Sequence, residues 1–436
     1  MKNYFFALGY IPHRLWGSIF IPQLLEKDEI SMYFVTGEIL LKNENSVSYQ
    51  RLTPMQKRLV NIIDDYNDKN LFKLFSKKKT VKEFQDTVDE ETIKNHIRPY
   101  IEKRLYQVLT IAAENRFKVF IKEKSTQNIF NDDFISTHRR LAKPYFRFKK
   151  KEDHTEYSLL IKREDEILDL IQDRSEVICN SPAAVLLNDE IFFFDKIYGK
   201  KLTPFFAKEF ISVQGSAEKK YYSSFVANTI RDFDDVEVEG FEILDAVPKK
   251  KAVLSLEYGM NQEPVWIVIL KYDNYSIHPA SPQRRFVRFK EKDEVYSFQL
   301  FERDDEWEES LEIALDEIGM KTRDGNIYTL RNWLDKEGLD KVYEAIKFTG
   351  DNYDFIVENG FELQQKLDRE YFIKEVDLVL ESKEKEDWFD LNAVVKFGDL
   401  EIPFIQLRKH ILNGERLFTL PDGSHSVIPE EWFANY

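Results

Sequence analysis

Residues Trp388–Tyr436 read WFDLNAVVKFGDLEIPFIQLRKHILNGERLFTLPDGSHSVIPEEWFANY. Asp390 to Phe397 is apolar enough for a strand, and Gly398-Asp399 makes the turn after it. Phe404, Leu407 and Ile411 recur at helical spacing, and Gly414 falls where a helix C-cap glycine belongs. Arg416 to Leu420 reads as a second strand. Pro421-Asp422-Gly423-Ser424 is a turn, and Val427-Ile428 begins a third strand. Pro429 then opens a helix at its first position. Mixed elements packed this closely predict a small strand-helix-strand-strand unit, with Trp388, Phe389, Phe404, Leu407 and Ile411 as its apolar face.

The same reading extends towards the N-terminus. Tyr4 to Ile11 is an apolar patch interrupted by Pro12, His13 and Arg14, which predicts a buried strand rather than a signal peptide. From Thr53 to about Glu123 the pattern is helical. Thr53-Pro54-Met55-Gln56 and Thr80-Val81-Lys82-Glu83 are capping boxes, and Tyr100, Leu105, Val108, Leu109 and Ala112 form an apolar stripe. From Tyr145 to Phe301 short apolar and aromatic runs alternate with turn residues, which predicts meandering antiparallel sheets, with one helix at Ala217–Thr229. Without an internal repeat, a propeller is left open. Helices return at Glu306–Gly319, Leu330–Lys347 and Phe361–Phe372. The fold class is therefore α+β. Four regions are expected: a mainly helical domain at 1–130, a β-rich domain at 131–304, a helical segment at 305–387 and the small unit at 388–436.

The terminal segment resembles the end of the accessory region that precedes the ATPase motor in bacterial Swi/Snf-family helicases. The resemblance implies that the chain is the N-terminal, helicase-associated part of a DNA-dependent ATPase translocase, without its motor. It would regulate the motor or position DNA or a partner protein for it in the bacterial cytoplasm. Its partner would be that C-terminal motor, with DNA or another protein beside it and no membrane. ATP and magnesium would belong to the motor alone, so this chain has no cofactor. The family's catalytic residues also lie in the motor, and none is carried onto this chain. Tyr157 to Leu300 agrees with the family's accessory region only in general texture, and the N-terminal helical part matches no family.

Composition narrows the alternatives. A chain of 436 residues with 43% hydrophobic and 32% charged residues buries cores and is not disordered. A single cysteine, Cys179, excludes a disulfide framework and the Cys/His zinc module of some relatives, and fits a reducing compartment. The net charge of -15 restricts any nucleic-acid contact to local patches. No apolar run is long enough to span a membrane.

No phosphate-binding loop is legible. The only Gly-Lys pair is Gly199-Lys200, where the loop's first glycine is replaced by Phe194 and its hydroxyl residue by Lys201. Val185 to Glu190 ends an apolar run in Asp-Glu, as a magnesium-binding acidic box does. But Ile191 to Phe194 resumes the apolar pattern, which makes Asn188-Asp189 a hairpin turn.

Two basic stretches are the candidate DNA contacts. Arg139 to Lys151, RRLAKPYFRFKKK, carries seven basic residues and three aromatics, with Arg147, Lys149, Lys150 and Lys151 foremost. Arg284 to Lys292, RRFVRFKEK, contributes Arg284, Arg285, Arg288 and Lys290. Basic side chains neutralise phosphates, and Phe146, Phe148 and Phe289 offer faces for stacking on bases. The same texture equally describes exposed strand faces whose lysines block edge pairing. The acidic run Asp304 to Glu309 reads as a helix N-terminus. Asp377 with Glu381-Ser382-Lys383 is too closely spaced for a nuclease site, the seven histidines lack ligand spacing, and Cys179 reads as a buried apolar residue. Besides the accessory-region reading, a protein-interaction scaffold that never touches DNA and an unrecognised hydrolase remain open. Helicase motifs in a continuation of the gene past Tyr436 would select the first.

Overall fold

The computed structural model describes residues 4–27, 33–122, 128–292, 295–331, 339–374, 376–385 and 388–433. The chain is α+β, as its patterning predicts. It divides into two compact units, one formed by Met1–Ile243 with Phe289–Phe298, the other by Leu244–Arg288 with Gln299–Tyr436. This replaces the four expected regions. The helical N-terminal part shares a sheet with strands up to Phe194, and the β-rich stretch is cut at Ile243. The sheets are also mixed rather than wholly antiparallel. Tyr4–His13 with Lys118–Ile121, Phe134–Leu141 with Glu190–Phe194, and Lys143–Lys150 with Val236–Glu239 all pair in parallel.

The first unit opens with the hairpin Tyr4–His13 and Gly17–Lys27, closed by a turn at Gly17, whose φ of +74° suits glycine. Ala7, Leu8 and Tyr10 are buried, as expected for an apolar N-terminal strand. The hairpin sits inside a nine-stranded sheet. Helices inserted between Phe34–Ile39 and Lys118–Ile121 cover it. Thr53 caps Pro54–Asp64 through the reciprocal bonds of a capping box. Thr80 caps Val81–Thr87 through the Glu83 amide, while the Glu83 carboxylate accepts from the Lys79 amide rather than from Thr80. The helix Arg98–Asn115 buries Leu105, Val108, Leu109 and Ala112, with Tyr100 packed at the margin. At its start the Arg98 guanidinium donates to the carbonyls of Trp16 (2.7 Å), Ser18 (3.0 Å) and Ile178 (3.2 Å).

A second sheet in the same unit contains Lys143–Lys150, His154–Arg163, Ile211–Gln214 and Val236–Glu239. The helix expected at Ala217–Thr229 is present as Gly215–Tyr221 and Ala227–Asp232, joined by a π turn at Tyr222–Val226. Phe148 and Tyr157 from the sheet meet Phe225 from the helix at ring distances of 6.1 and 5.1 Å.

In the second unit, Lys250–Tyr258 and Pro264–Tyr272 form the centre of a six-stranded sheet packed against Asp305–Glu317 and Leu339–Asp351. Phe361–Lys366 is a strand, not the expected helix. It pairs in parallel with Lys250–Tyr258 and buries Phe361, so tertiary pairing overrides a sequence compatible with either form. Leu330 ends a strand, and the helix expected from it begins at Leu339 among the described residues.

The C-terminal part contains the predicted helix Phe404–Leu412 and the strands Trp388–Phe397 and Leu417–Thr419. Two further strands precede the helix, Val376–Lys385 and Leu400–Pro403. The last strand is His425–Val427, so it ends where it was expected to begin, and Glu430–Trp432 is a single 3-10 turn. Leu407 and Ile411 are buried with Val395, Phe397, Ile402 and Phe418, and Phe404 packs beside them. The side chains of Trp388 and Phe389 lie outside the described residues.

Arg98→Met removes three hydrogen bonds at once from part-buried carbonyls. We expect the first unit to lose about 3 kcal/mol, the scale for removing one partner from a buried charged network, measured by urea unfolding. An unchanged midpoint would mean the carbonyls are satisfied without Arg98. Leu407→Ala should destabilise the C-terminal part by about 2–5 kcal/mol. Hydrogen exchange over residues 404–428 checks this, and parent-like protection there would refute the packing.

Candidate nucleic-acid interface

The first basic stretch forms the strand Lys143–Lys150, whose inward residues Phe146 and Phe148 are buried. Phe146 stacks on Tyr157 at 6.2 Å, and Phe148 stacks on it at 5.3 Å. Neither ring is available to a nucleobase. Phe289 lies 5.4 Å from Phe298 and 5.5 Å from Tyr296, half-buried in the same aromatic cluster. Core packing accounts for all three.

The outward side chains meet carboxylates. Val236–Glu239 pairs in parallel with this strand, with Arg147 opposite Glu237 and Lys149 opposite Glu239. Arg147 Nε donates to Glu237 at 2.6 Å, and the Tyr145 hydroxyl donates to the same oxygen at 3.1 Å. Lys149 and Lys151 lie 3.3 and 3.8 Å from Glu239. Lys150 donates at 2.9 Å to Glu218, a buried carboxylate that also accepts from Thr155 at 2.6 Å. The side chains of Arg139 and Arg140 lie outside the described residues. The Arg147 hydrogen bond holds the Glu237 carboxyl below its usual value of 4.5, against the opposing effect of burial.

The second stretch forms the strand Arg285–Lys292, and the same thing happens there. Arg284 grips Asp305 with two hydrogen bonds of 2.7 and 2.5 Å. Arg288 donates to Asp273 at 2.8 Å, and Arg285 lies 3.6 Å from Glu302. Lys290 is exposed and has no carboxylate partner among the described residues. Arg284, Arg285 and Arg288 belong to the second unit, whereas Lys290 and the first stretch belong to the first unit. Within each unit the structure brings these cations to carboxylates rather than to one another. The signal for this was present in Val236-Glu237-Val238-Glu239, whose alternation matches Arg147 and Lys149 two by two, but register is set by folding and not by local pattern.

The remaining candidates take structural positions. Asp304 caps the helix Asp305–Glu317 by accepting from the Trp307 amide at 3.0 Å. Glu308 pairs with Arg303, whose Nε lies 2.9 Å away, and also binds the Tyr272 hydroxyl. Asn188-Asp189 is the turn of an antiparallel hairpin, with Asn188 at a φ of +52°. Gly199 is buried, and a Cβ there would stand 2.4 Å from Val177 Cγ1, so close packing requires the glycine. Cys179 is buried, and burial pushes its thiol up. Asp377, Glu381 and Lys383 share the single strand Val376–Lys385, and their side chains lie outside the described residues. Among the described residues no group of three or more His, Cys, Asp or Glu side chains is arranged to hold a metal. No helix among them is long and apolar enough to cross a membrane.

No protein-family model, curated protein or solved structure matches this chain.

The Arg147–Glu237 pair sets a pH dependence. A carboxyl whose folded value is depressed contributes stability that is complete above its unfolded value, about 4.5, and is lost as pH falls through the folded value. Glu237→Gln should therefore lower the melting temperature near pH 7, and its difference from the parent should shrink as the pH falls below 4.5. A difference that stays constant across that range would show that the pair is not what Glu237 supplies.

Proposed function

We propose that this chain is a protein-binding scaffold, an accessory region of the kind that accompanies a Swi/Snf-type ATPase motor, and that its two basic strands do not hold DNA. One observation carries the reading. Arg147, Lys149, Lys150 and Lys151 each lie within ion-pair distance of a carboxylate, with the first two in register along a parallel strand pair. Exchanging these carboxylates for phosphates trades one ion pair for another, and few counterions are released from cations already neutralised internally. The net charge of -15 adds a long-range repulsion. In the C-terminal part, Ile405 and Leu412 stand 72% and 59% exposed on the helix Phe404–Leu412, which supports a protein contact on that helix. The motor is the partner the resemblance implies, and ATP and magnesium belong to it. The lone buried cysteine is consistent with the cytoplasm.

DNA binding by the purified chain across a salt series tests the proposal. We expect weak binding at low salt with a shallow slope, and tighter binding once Glu237→Gln and Glu239→Gln free the cations. Tight binding by the parent, with a slope of about 0.9 per phosphate over several phosphates that Lys149→Glu, Lys150→Glu and Lys151→Glu abolish, would restore the DNA-positioning role. The chain should turn over no ATP with or without DNA. Turnover that vanishes on a substitution within this chain would overturn the non-enzymatic reading.

A further inference from the structure

Residues Lys69–Lys82 read KNLFKLFSKKKTVK, six lysines with no acidic residue among them, in a chain whose net charge is -15. The stretch runs along the helix Asp68–Phe75, crosses residues 76–80 and enters the first turn of the helix Val81–Thr87. Its apolar residues serve the core of the first unit. Leu71 is buried, and Phe72 and Phe75 pack against that core. Phe72 meets Phe84 of the second helix at 6.1 Å, and Phe75 meets Tyr100 at 5.4 Å. These contacts fix both helices and leave every lysine of the stretch exposed. Lys69 and Lys73 stand one turn apart on one helix face, where like charges repel.

Neutralisation separates this stretch from the two basic strands. Arg147, Lys149, Lys150 and Lys151 each face a carboxylate. Here Lys78 lies 3.9 Å from Glu83, and the other five ammonium groups have no carboxylate partner among the described residues. The adjacent acidic side chains are engaged elsewhere. Asp68 accepts from Trp16 Nε1 at 2.8 Å, and Asp86 lies 3.9 Å from Arg14. Among these cations Leu74 is 57% exposed. Unpaired cations beside an uncovered leucine are complementary to carboxylates that flank an apolar side chain. A DNA duplex presents its phosphates outward and keeps its apolar base faces stacked inside, so it would leave Leu74 uncovered.

We propose that this lysine face binds an acidic segment of a partner protein, one with apolar residues between its carboxylates. Lys69, Lys73, Lys77, Lys79 and Lys82 supply the charge, and Leu74 makes the apolar contact. The proposal rests on the scaffold reading above and adds to it a surface and the chemistry of its partner. Lysine suits this task, because a compact charge on a flexible stem follows carboxylates without demanding the fixed geometry of a guanidinium fork. An extended acidic segment can therefore be held before it adopts any fold of its own. Attraction between the two charges speeds encounter and weakens as salt rises.

The experiment is a fluorescence-anisotropy titration of the full chain into a labelled peptide of Glu-Glu-Leu repeats. A Ser-Ser-Leu peptide of the same length and a labelled DNA duplex serve as comparators, at low salt and at about 0.15 M, where the screening length is about 8 Å. We expect the acidic peptide to bind, the uncharged one not to bind, and affinity to fall with salt. Lys73→Glu, Lys77→Glu and Lys79→Glu together should weaken binding about tenfold, the scale of three exposed ion pairs. Leu74→Ser should weaken it several-fold without altering the salt dependence. All four positions are exposed, so the variants should melt with the parent. No binding of the acidic peptide, or binding indifferent to both sets of substitutions, overturns the assignment and leaves the scaffold reading standing. Duplex binding that the changes at Lys73, Lys77 and Lys79 abolish makes this a nucleic-acid face and also overturns the assignment. Duplex binding lost instead on Lys149→Glu, Lys150→Glu and Lys151→Glu overturns the scaffold reading itself.

Discussion

The first unit depends on the Arg98 side chain. The turn between its first two strands leaves the carbonyls of Trp16 and Ser18 pointing at a helix rather than at another strand, and Arg98 satisfies both together with Ile178 of a distant strand. Glu102, one turn further along, holds the guanidinium at 3.1 Å and accepts from the Asn180 amide at 2.9 Å. One ion pair thus fixes the helix against two parts of the same sheet. Gly17 follows from this, because a Cβ there would stand 3.2 Å from the Arg98 guanidinium at a backbone angle that side chains rarely adopt. Neighbouring bonds repeat the device on a smaller scale. The Tyr66 hydroxyl donates to the Phe20 carbonyl at 3.0 Å, and Tyr10 donates to Glu176 at 2.8 Å. The Tyr66 bond satisfies a polar group where the helical layer meets the sheet, and the Tyr10 bond joins two strands of that sheet.

Charge is organised in the same local fashion. A chain of strongly negative balance would be expected to leave its rare basic clusters facing solvent, yet here the basic strand selects an acidic strand as its parallel neighbour. Its partially exposed pairs contribute little stability individually. Their effect is on register, since a one-residue slip would turn Glu237 and Glu239 to the opposite face from Arg147 and Lys149. The half-buried Lys150, paired with the buried Glu218 whose carboxylate also holds Thr155, ties that strand to the neighbouring helix.

Local features were legible in the sequence, and distant pairings were not. The Thr53 capping box, the Asn188-Asp189 turn and the Phe404–Leu412 helix each depend on residues within a few positions, and all are present. The strand runs from Tyr157 to Phe301 were visible as alternation, but not which strands they join or where the units divide. Phe361–Lys366 shows the limit. Phe361, Leu363 and Leu367 satisfy an alternating or a helical pattern, and only the neighbouring Lys250–Tyr258 strand decides between them. The candidate basic residues were identified as charges but not as members of pairs.

The parallel pairing of Tyr4–His13 with Lys118–Ile121 has a consequence for synthesis of the chain. The hairpin emerges from the ribosome before Lys118–Ile121, so one flank stays open until that strand has followed, and the strands beyond it are completed only at Phe194. At about 5–20 residues per second, that interval is on the order of ten seconds or more. Until the inserted helices form, an apolar hairpin with Leu8, Tyr10 and Phe20 uncovered stands beside a free strand edge, the feature most prone to pairing with other chains. The inserted helices, capped at Thr53 and Thr80, form from local contacts and are made before that edge is closed. They can shield the hairpin's face while it waits for its partner.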